Sequence, residues 1–261
     1  MSAVFAYAKD RSFVARRKYA AGVSERRLRA TGALWRELHT YLERSRSTGC
    51  SYTDYWYLYR AIRLGKPKEV LECGTGVSTL VIAHALMENA AEGAAPGRIT
   101  SMEEHAEWLE MSKALLPQAY HTYVDFRLSP TVEDYYSLFR GVRYRDVPED
   151  RAYDFVFVDG PSYVSPVDGT PTFDLDLLHV LQRSDSAVAG LVDKRVSSCF
   201  VFQQLLGSDK VRYSPVLGIG FVAACTRADL GGITRSLSSA NFEDSFRLLG
   251  PTRLSLSPRS S

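Results

Sequence analysis

The chain has 261 residues, 45% of them hydrophobic and 24% charged, with a formal net charge of +2. That profile fits one large globular α/β domain with extensions and excludes collagen-like, low-complexity and disulfide-scaffold classes. No apolar run approaches the ~20 residues that would span a bilayer, and the scattered Cys50, Cys73, Cys199 and Cys225 form no zinc motif.

The N-terminus lacks the apolar core of a secretory signal, so a reducing, cytoplasmic setting is expected. Residues 1–46 hold eleven Lys/Arg against four acids, a local net of +7, while the remainder carries −5. Such asymmetry marks either an arm that touches nucleic acid or a solvated helix packed on its own acidic body or a second subunit. Leu28, Leu34, Trp35, Leu38, Tyr41 and Leu42 recur at three- and four-residue steps, which predicts a helix over 24–45 and favours the second reading. After a break at 45–51, a second helix over 54–64 starts at Thr53 or Asp54 and stops at Gly65-Lys66-Pro67. Residues 1–52 therefore read as a basic helical extension, a lid or dimer surface, with Tyr52, Tyr55, Trp56 and Tyr59 facing substrate or core.

Strands then alternate with helices. Strands are predicted at 70–73, 98–102, 122–128, 153–158 and 187–192, and helices at 78–87, 106–115, 132–139, 172–181 and 198–206. This spacing means right-handed βαβ units and a parallel sheet covered on both faces. The runs 210–213 and 218–225 are joined too closely for a parallel crossover, so that pair should be antiparallel. The expected fold is a Rossmann-like seven-stranded, mostly parallel sheet with an antiparallel last strand, occupying 53–226. Residues 227–261 read as a partly flexible C-terminal extension, with an amphipathic helix near 242–249 and a frayed tail from 251.

The chemistry concentrates at strand ends. Glu72-Cys73-Gly74-Thr75-Gly76-Val77-Ser78-Thr79 is an acid at the end of a strand, a glycine turn and a helix start, a shape that lets a nucleoside-bearing ligand approach bare backbone. Ser78 and Thr79 can cap that helix. Glu72 suits a ligand with a positive end better than a pyrophosphate. Glu103 lies 27 residues after Gly76, where an acid can accept from a ribose diol, and Glu104 follows it near a base or as a plain helix-start acid. Pro130, Thr131 and Val132 can flank an adenine, or the segment is a plain helix N-terminus capped by Ser129 or Thr131. Asp159, before Gly160-Pro161, can bind a metal, orient a substrate or take a proton. Asp193 can join Asp159 on a hard cation such as Mg, unless Lys194 and Arg195 orient the substrate without one. Lys194 is also a candidate base.

Together, Val70–Thr79, Ser101-Met102-Glu103 and Phe155-Val156-Phe157-Val158-Asp159-Gly160-Pro161 resemble class I S-adenosylmethionine-dependent methyltransferases, over roughly residues 53–226. The nearest flavour is the small-molecule O-methyltransferases. The resemblance implies that Glu72, Gly74, Thr75 and Gly76, with Ser78 and Thr79, hold the methionine end of the cofactor. It places Glu103 and Glu104 at the ribose and adenine, Thr131 and Val132 beside the adenine, and Asp159 next to the reacting centre. It matches Asp159 and Asp193 to metal-binding acids, although Lys194 stands where metal-dependent members have Asn or Asp. Asp159 and Lys194 are the catalytic candidates. The implied function is methyl transfer to an oxygen of a small-molecule acceptor. An RNA or protein methyltransferase using the basic arm, and a non-catalytic S-adenosylmethionine-binding protein, are the alternatives.

Overall fold

The computed structural model describes residues 3–46, 51–137 and 139–231, with the side chains of residues 3–10 left aside. Strands β1 (Glu69–Cys73), β2 (Arg98–Glu103), β3 (Val124–Leu128), β6 (Phe155–Val158), β7 (Val188–Asp193), β8 (Val211–Ser214) and β9 (Ile219–Cys225) form one sheet. Their order is β3-β2-β1-β6-β7-β9-β8. β9 alone runs against its neighbours β7 and β8, as the short 215–218 link between β8 and β9 requires. β4 (Thr131–Tyr136) and β5 (Phe139–Tyr144) make a separate antiparallel pair.

The helix expected at 132–139 is therefore a hairpin. Val132, Tyr135, Tyr136 and Phe139 are β-branched or aromatic and fit a pleated surface better than a helix interior. The helix expected over 24–45 is two helices, α1 (Ala3–Arg29) and α2 (Ala33–Arg44), broken where Gly32 takes φ +63. α3 (Tyr52–Gly65) begins two residues earlier than expected. Its cap is Ser51, whose backbone N–H and hydroxyl each donate to Asp54 Oδ2 at 2.7 Å. α4 (Val77–Ala91), α5 (Ala106–Leu115), α6 (Asp176–Arg183) and α7 (Val196–Leu206) complete the helices. The helix and tail expected at 242–249 and beyond lie outside the described residues.

Alternation along the strands divides the core. Phe155 and Phe157 face a layer built from Leu28, Leu38, Leu58, Ile62 and Leu80 of the first four helices. Val156 and Val158 face the other layer, with Leu177, Leu181, Phe200 and Phe202 of α6 and α7. A buried polar knot ties α2 to the domain. His84 Nδ1 lies 2.7 Å from Tyr120 Oη and 3.2 Å from Glu37 Oε2, and Tyr120 donates to the same Glu37 oxygen. α2 is thus docked on the core. Among the described residues no helix is long and apolar enough to cross a membrane, and Cys73, Cys199 and Cys225 are buried free thiols.

Candidate active site

Parallel register brings three acids and a glycine to one edge of the sheet. Cys73 pairs with Met102 on one side and with Val158 on the other, and Val158 pairs with Val192. The residues that follow are Gly74, Glu103, Asp159 and Asp193, so the carboxyl ends of β1, β2, β6 and β7 open onto one crevice at the switch point of the sheet.

Glu72 points toward α4, fully buried. Its Oε2 accepts from Thr79 Oγ1 and Ser101 Oγ, both at 2.6 Å, while Oε1 is buried with no hydrogen-bond partner. Burial raises its pKa to about 7, and the surrounding hydroxyls only partly offset this. The Gly76 amide donates to Thr79 Oγ1 at 3.1 Å, which locks the turn to the first turn of α4. Ser78 and Thr79 are both buried there. Gly74 has φ +95, and a Cβ on it would stand 2.9 Å from Gly160 N. Both the backbone conformation and the space demand glycine. The turn therefore presents unshielded peptide groups, and the β6 turn packs directly on it.

Glu103 is buried at the tip of β2. Its Oε1 accepts from the Glu104 and His105 amides at 2.9 Å, and its Oε2 from the Thr75 amide at 3.3 Å. Burial raises its pKa, against the pull of those amides. Glu104 reaches across the crevice, where the Ser162 amide donates to its Oε1 at 2.7 Å. Thr131 and Val132 open β4 rather than a helix. Thr131 pairs with Tyr144, whose phenol stands 2.7 Å from the Cβ position of Gly160. The hairpin thus supplies a wall of the crevice through Tyr144, a residue the sequence reading missed because its strand was not foreseen.

At the β7 end of the crevice, Asp193 is buried beside Asp159. Burial, then the Asp159 and Asp54 carboxylates, push its pKa up, and Lys194 opposes them. Lys194 Nζ lies 3.2 Å from Asp54 Oδ2 and 3.4 Å from Asp193 Oδ2. Asp54 was legible only as a helix cap; no sequence signal joins it to residues 139 and more positions away. Arg195 is turned inward. It donates to the Asp159 carbonyl, to the Pro161 carbonyl at 2.7 Å and to Asp174 Oδ1 at 2.6 Å, so it braces the turn after β6 rather than meeting a ligand. His105 is exposed and paired loosely with Glu104 at 3.9 Å.

The expected metal finds no support here. Asp159 and Asp193 do meet, but Lys194 Nζ already stands 3.4 Å from Asp193 Oδ2, and among the described residues no cluster of three or more His, Cys, Asp or Glu could hold a metal ion. A nucleoside with a cationic amino-acid tail does fit. Glu72 has an orphaned buried oxygen, Gly74 leaves bare backbone, and Glu103 retains acceptor capacity beyond its three amides.

Residues 71–189 match the family model described as a methyltransferase domain. No curated protein matches the chain in sequence. Among solved structures it is similar to a candidate caffeoyl-CoA O-methyltransferase from Staphylococcus aureus, at 14% identity and TM-score 0.45, over 77% of this chain and 81% of that one. The N-terminal domain of EvdMO1 with S-adenosylhomocysteine bound is similar at 18% identity and TM-score 0.33, over 60% of this chain and 61% of that one. The plantazolicin methyltransferase BpumL with S-adenosylhomocysteine is similar at 13% identity and TM-score 0.32, over 77% and 63%. The chain thus spans less than two thirds of the latter two.

Proposed function

We propose that this chain, whose residues 71–189 match the methyltransferase-domain model, is an S-adenosylmethionine-dependent methyltransferase that methylates a hydroxyl oxygen of a small molecule. The observation that carries this reading is the carboxyl group pair Asp159–Asp193, set beside the glycine turn with Lys194 on its flank. When bound, the cofactor supplies a methyl group on a sulfonium, whose carbon–sulfur electron pair stays with sulfur. The remaining work falls to this chain. Glu72 faces the cofactor's ammonium, Gly74 to Gly76 let its tail lie against backbone, and Glu103 accepts from its ribose hydroxyls. Glu104, Thr131 and Val132 border the base. An acceptor hydroxyl must lose its proton as its oxygen forms the new bond, and Asp159 receives it. Alignment of that oxygen with the methyl group is the larger contribution.

The helical extension bounds the acceptor side. Arg17 of α1 lies 3.6 Å from the Cβ position of Gly218, and the Gly218 carbonyl accepts from the Lys194 amide. This supports a lid role for residues 1–52, in a cytoplasmic enzyme whose extension also offers a dimer surface. The test is calorimetric. S-adenosylhomocysteine should bind, and Glu103→Ala should weaken it by about 1.5–3 kcal/mol, the value of hydrogen bonds to a charged group. No binding to intact protein would refute the reading.

One observation favours a second reading. Arg11, Arg16, Arg17, Lys18, Arg26, Arg27 and Arg29 are all exposed on α1, as an RNA-docking arm would need. Affinity for RNA that falls steeply with salt, and with truncation of residues 1–46, would favour an RNA methyltransferase.

A further inference from the structure

Metal-dependent relatives would place a divalent cation on Asp159 and Asp193, and the residues around these acids do not fit one. An ammonium already stands there, between Asp54 and Asp193. Three features fix it. Lys194 holds a left-handed backbone, φ +47, which costs a non-glycine residue about 1 kcal/mol or more. Its amide is held by the Gly218 carbonyl at 2.8 Å. Asp54, which is buried, is itself oriented by two bonds from Ser51 before any lysine reaches it. The Lys194 side chain is 41% exposed, so a ligand in the crevice can reach it.

We propose that Lys194 is the resident cation of this site, standing in the place of a divalent metal beside the acceptor oxygen, and that Asp54 is its positioning residue. The proposal rests on the methyl-transfer reading above. A fixed ammonium supplies one positive charge and N–H donors to an oxygen losing its proton, and it needs no metal loading. Asp54 acts through Lys194. It comes from the first turn of α3, so that helix completes the acceptor site.

The experiment uses Mn²⁺ as the probe, followed by electron paramagnetic resonance on the full chain saturated with S-adenosylhomocysteine. Wild type should leave the Mn²⁺ signal that of the free ion. Lys194→Asn removes the ammonium and adds an oxygen ligand, and it should tighten Mn²⁺ binding by about tenfold or more. Because Asp54 acts through Lys194, Asp54→Asn with Lys194 in place should shift and broaden the Lys194 Nζ signal in 15N NMR while Asp54→Glu keeps it; an unmoved signal in Asp54→Asn would overturn the positioning role. Calorimetry in the same samples separates the two levels. Unchanged S-adenosylhomocysteine affinity in the variants shows an intact fold, and no affinity in wild type would overturn the methyl-transfer reading together with the proposal. Tight Mn²⁺ binding by wild type, or no gain in Lys194→Asn with cofactor binding intact, would overturn the proposal alone.

Discussion

Replacing Glu72 by Gln separates what this residue does for the fold from what it does for the cofactor. In the free protein the side chain is fully buried, with Oε2 satisfied by two hydroxyls and Oε1 by none. Its pKa rises to about 7 from an ordinary 4.5, so the folded state binds a proton that the unfolded state has released. Stability from this group is complete below the unfolded value and is lost as pH climbs through the folded one. The whole span amounts to about 3 kcal/mol at most. Gln keeps the shape and never ionises, so the variant should be at least as stable as wild type at about pH 8, and its urea midpoint should not show the wild type's decline between about pH 5 and pH 8. A ligand ammonium reverses the balance, because it stabilises the ionised form. Wild-type affinity for S-adenosylhomocysteine should therefore rise about tenfold from about pH 6 to pH 8, following the fraction of ionised Glu72. In the Gln variant the affinity should be lower by about 1.5–3 kcal/mol at pH 8 and flat with pH, apart from titration of the ligand itself. Titration calorimetry at several pH values measures both. Equal affinities and parallel pH profiles for the two proteins would refute the assignment of Glu72 to the ammonium.

Gly74→Ala forces a Cβ to within 2.9 Å of the Gly160 amide on a left-handed backbone, so it should cost about 1–3 kcal/mol of stability and abolish cofactor binding, as read by thermal melts and calorimetry. Arg195→Met strips the buried Asp174 carboxylate of its cation and should destabilise the fold by about 3–5 kcal/mol in urea titrations; a change under 1 kcal/mol would contradict its bracing role. Methyl transfer from a labelled donor to a panel of hydroxyl compounds should be unaffected by chelator. Truncation of residues 1–46, which removes the Glu37 partner of His84 and Tyr120, should lower the melting temperature as well as any activity.

The sheet was readable because its strands are short apolar runs that stop at an acid and a glycine. Val70–Cys73 and Phe155–Val158 could hardly be anything but buried parallel strands, and the same pattern located Glu72, Glu103, Asp159 and Asp193. Period alone failed at 131–144. Val132, Tyr135 and Phe139 satisfy a helical spacing as well as a strand, and the βαβ rhythm argued for the helix. The long α1 escaped notice because its residues are polar on most sides, so only its final turns, around Leu28, carry apolar spacing. Asp54 illustrates a deeper limit. Local signals mark it as a cap, which it is, while its partnership with Lys194 exists only after α3 has folded back beside the end of β7.

Arg195 joins segments that are far apart in the chain but open together. One guanidinium holds two carbonyls of the turn after β6 and the carboxylate that precedes α6, and Ser198 on α7 donates to that same carboxylate. None of these segments can loosen without breaking bonds held by the others. In amide hydrogen exchange, the amides of Asp159, Gly160, Asp174 and the first turn of α7 should behave as one cooperative unit with a shared opening free energy. A substrate that fits poorly would then face a wall that yields all at once or not at all. Selectivity at the acceptor side would be set by the stability of that unit rather than by the softness of any single loop.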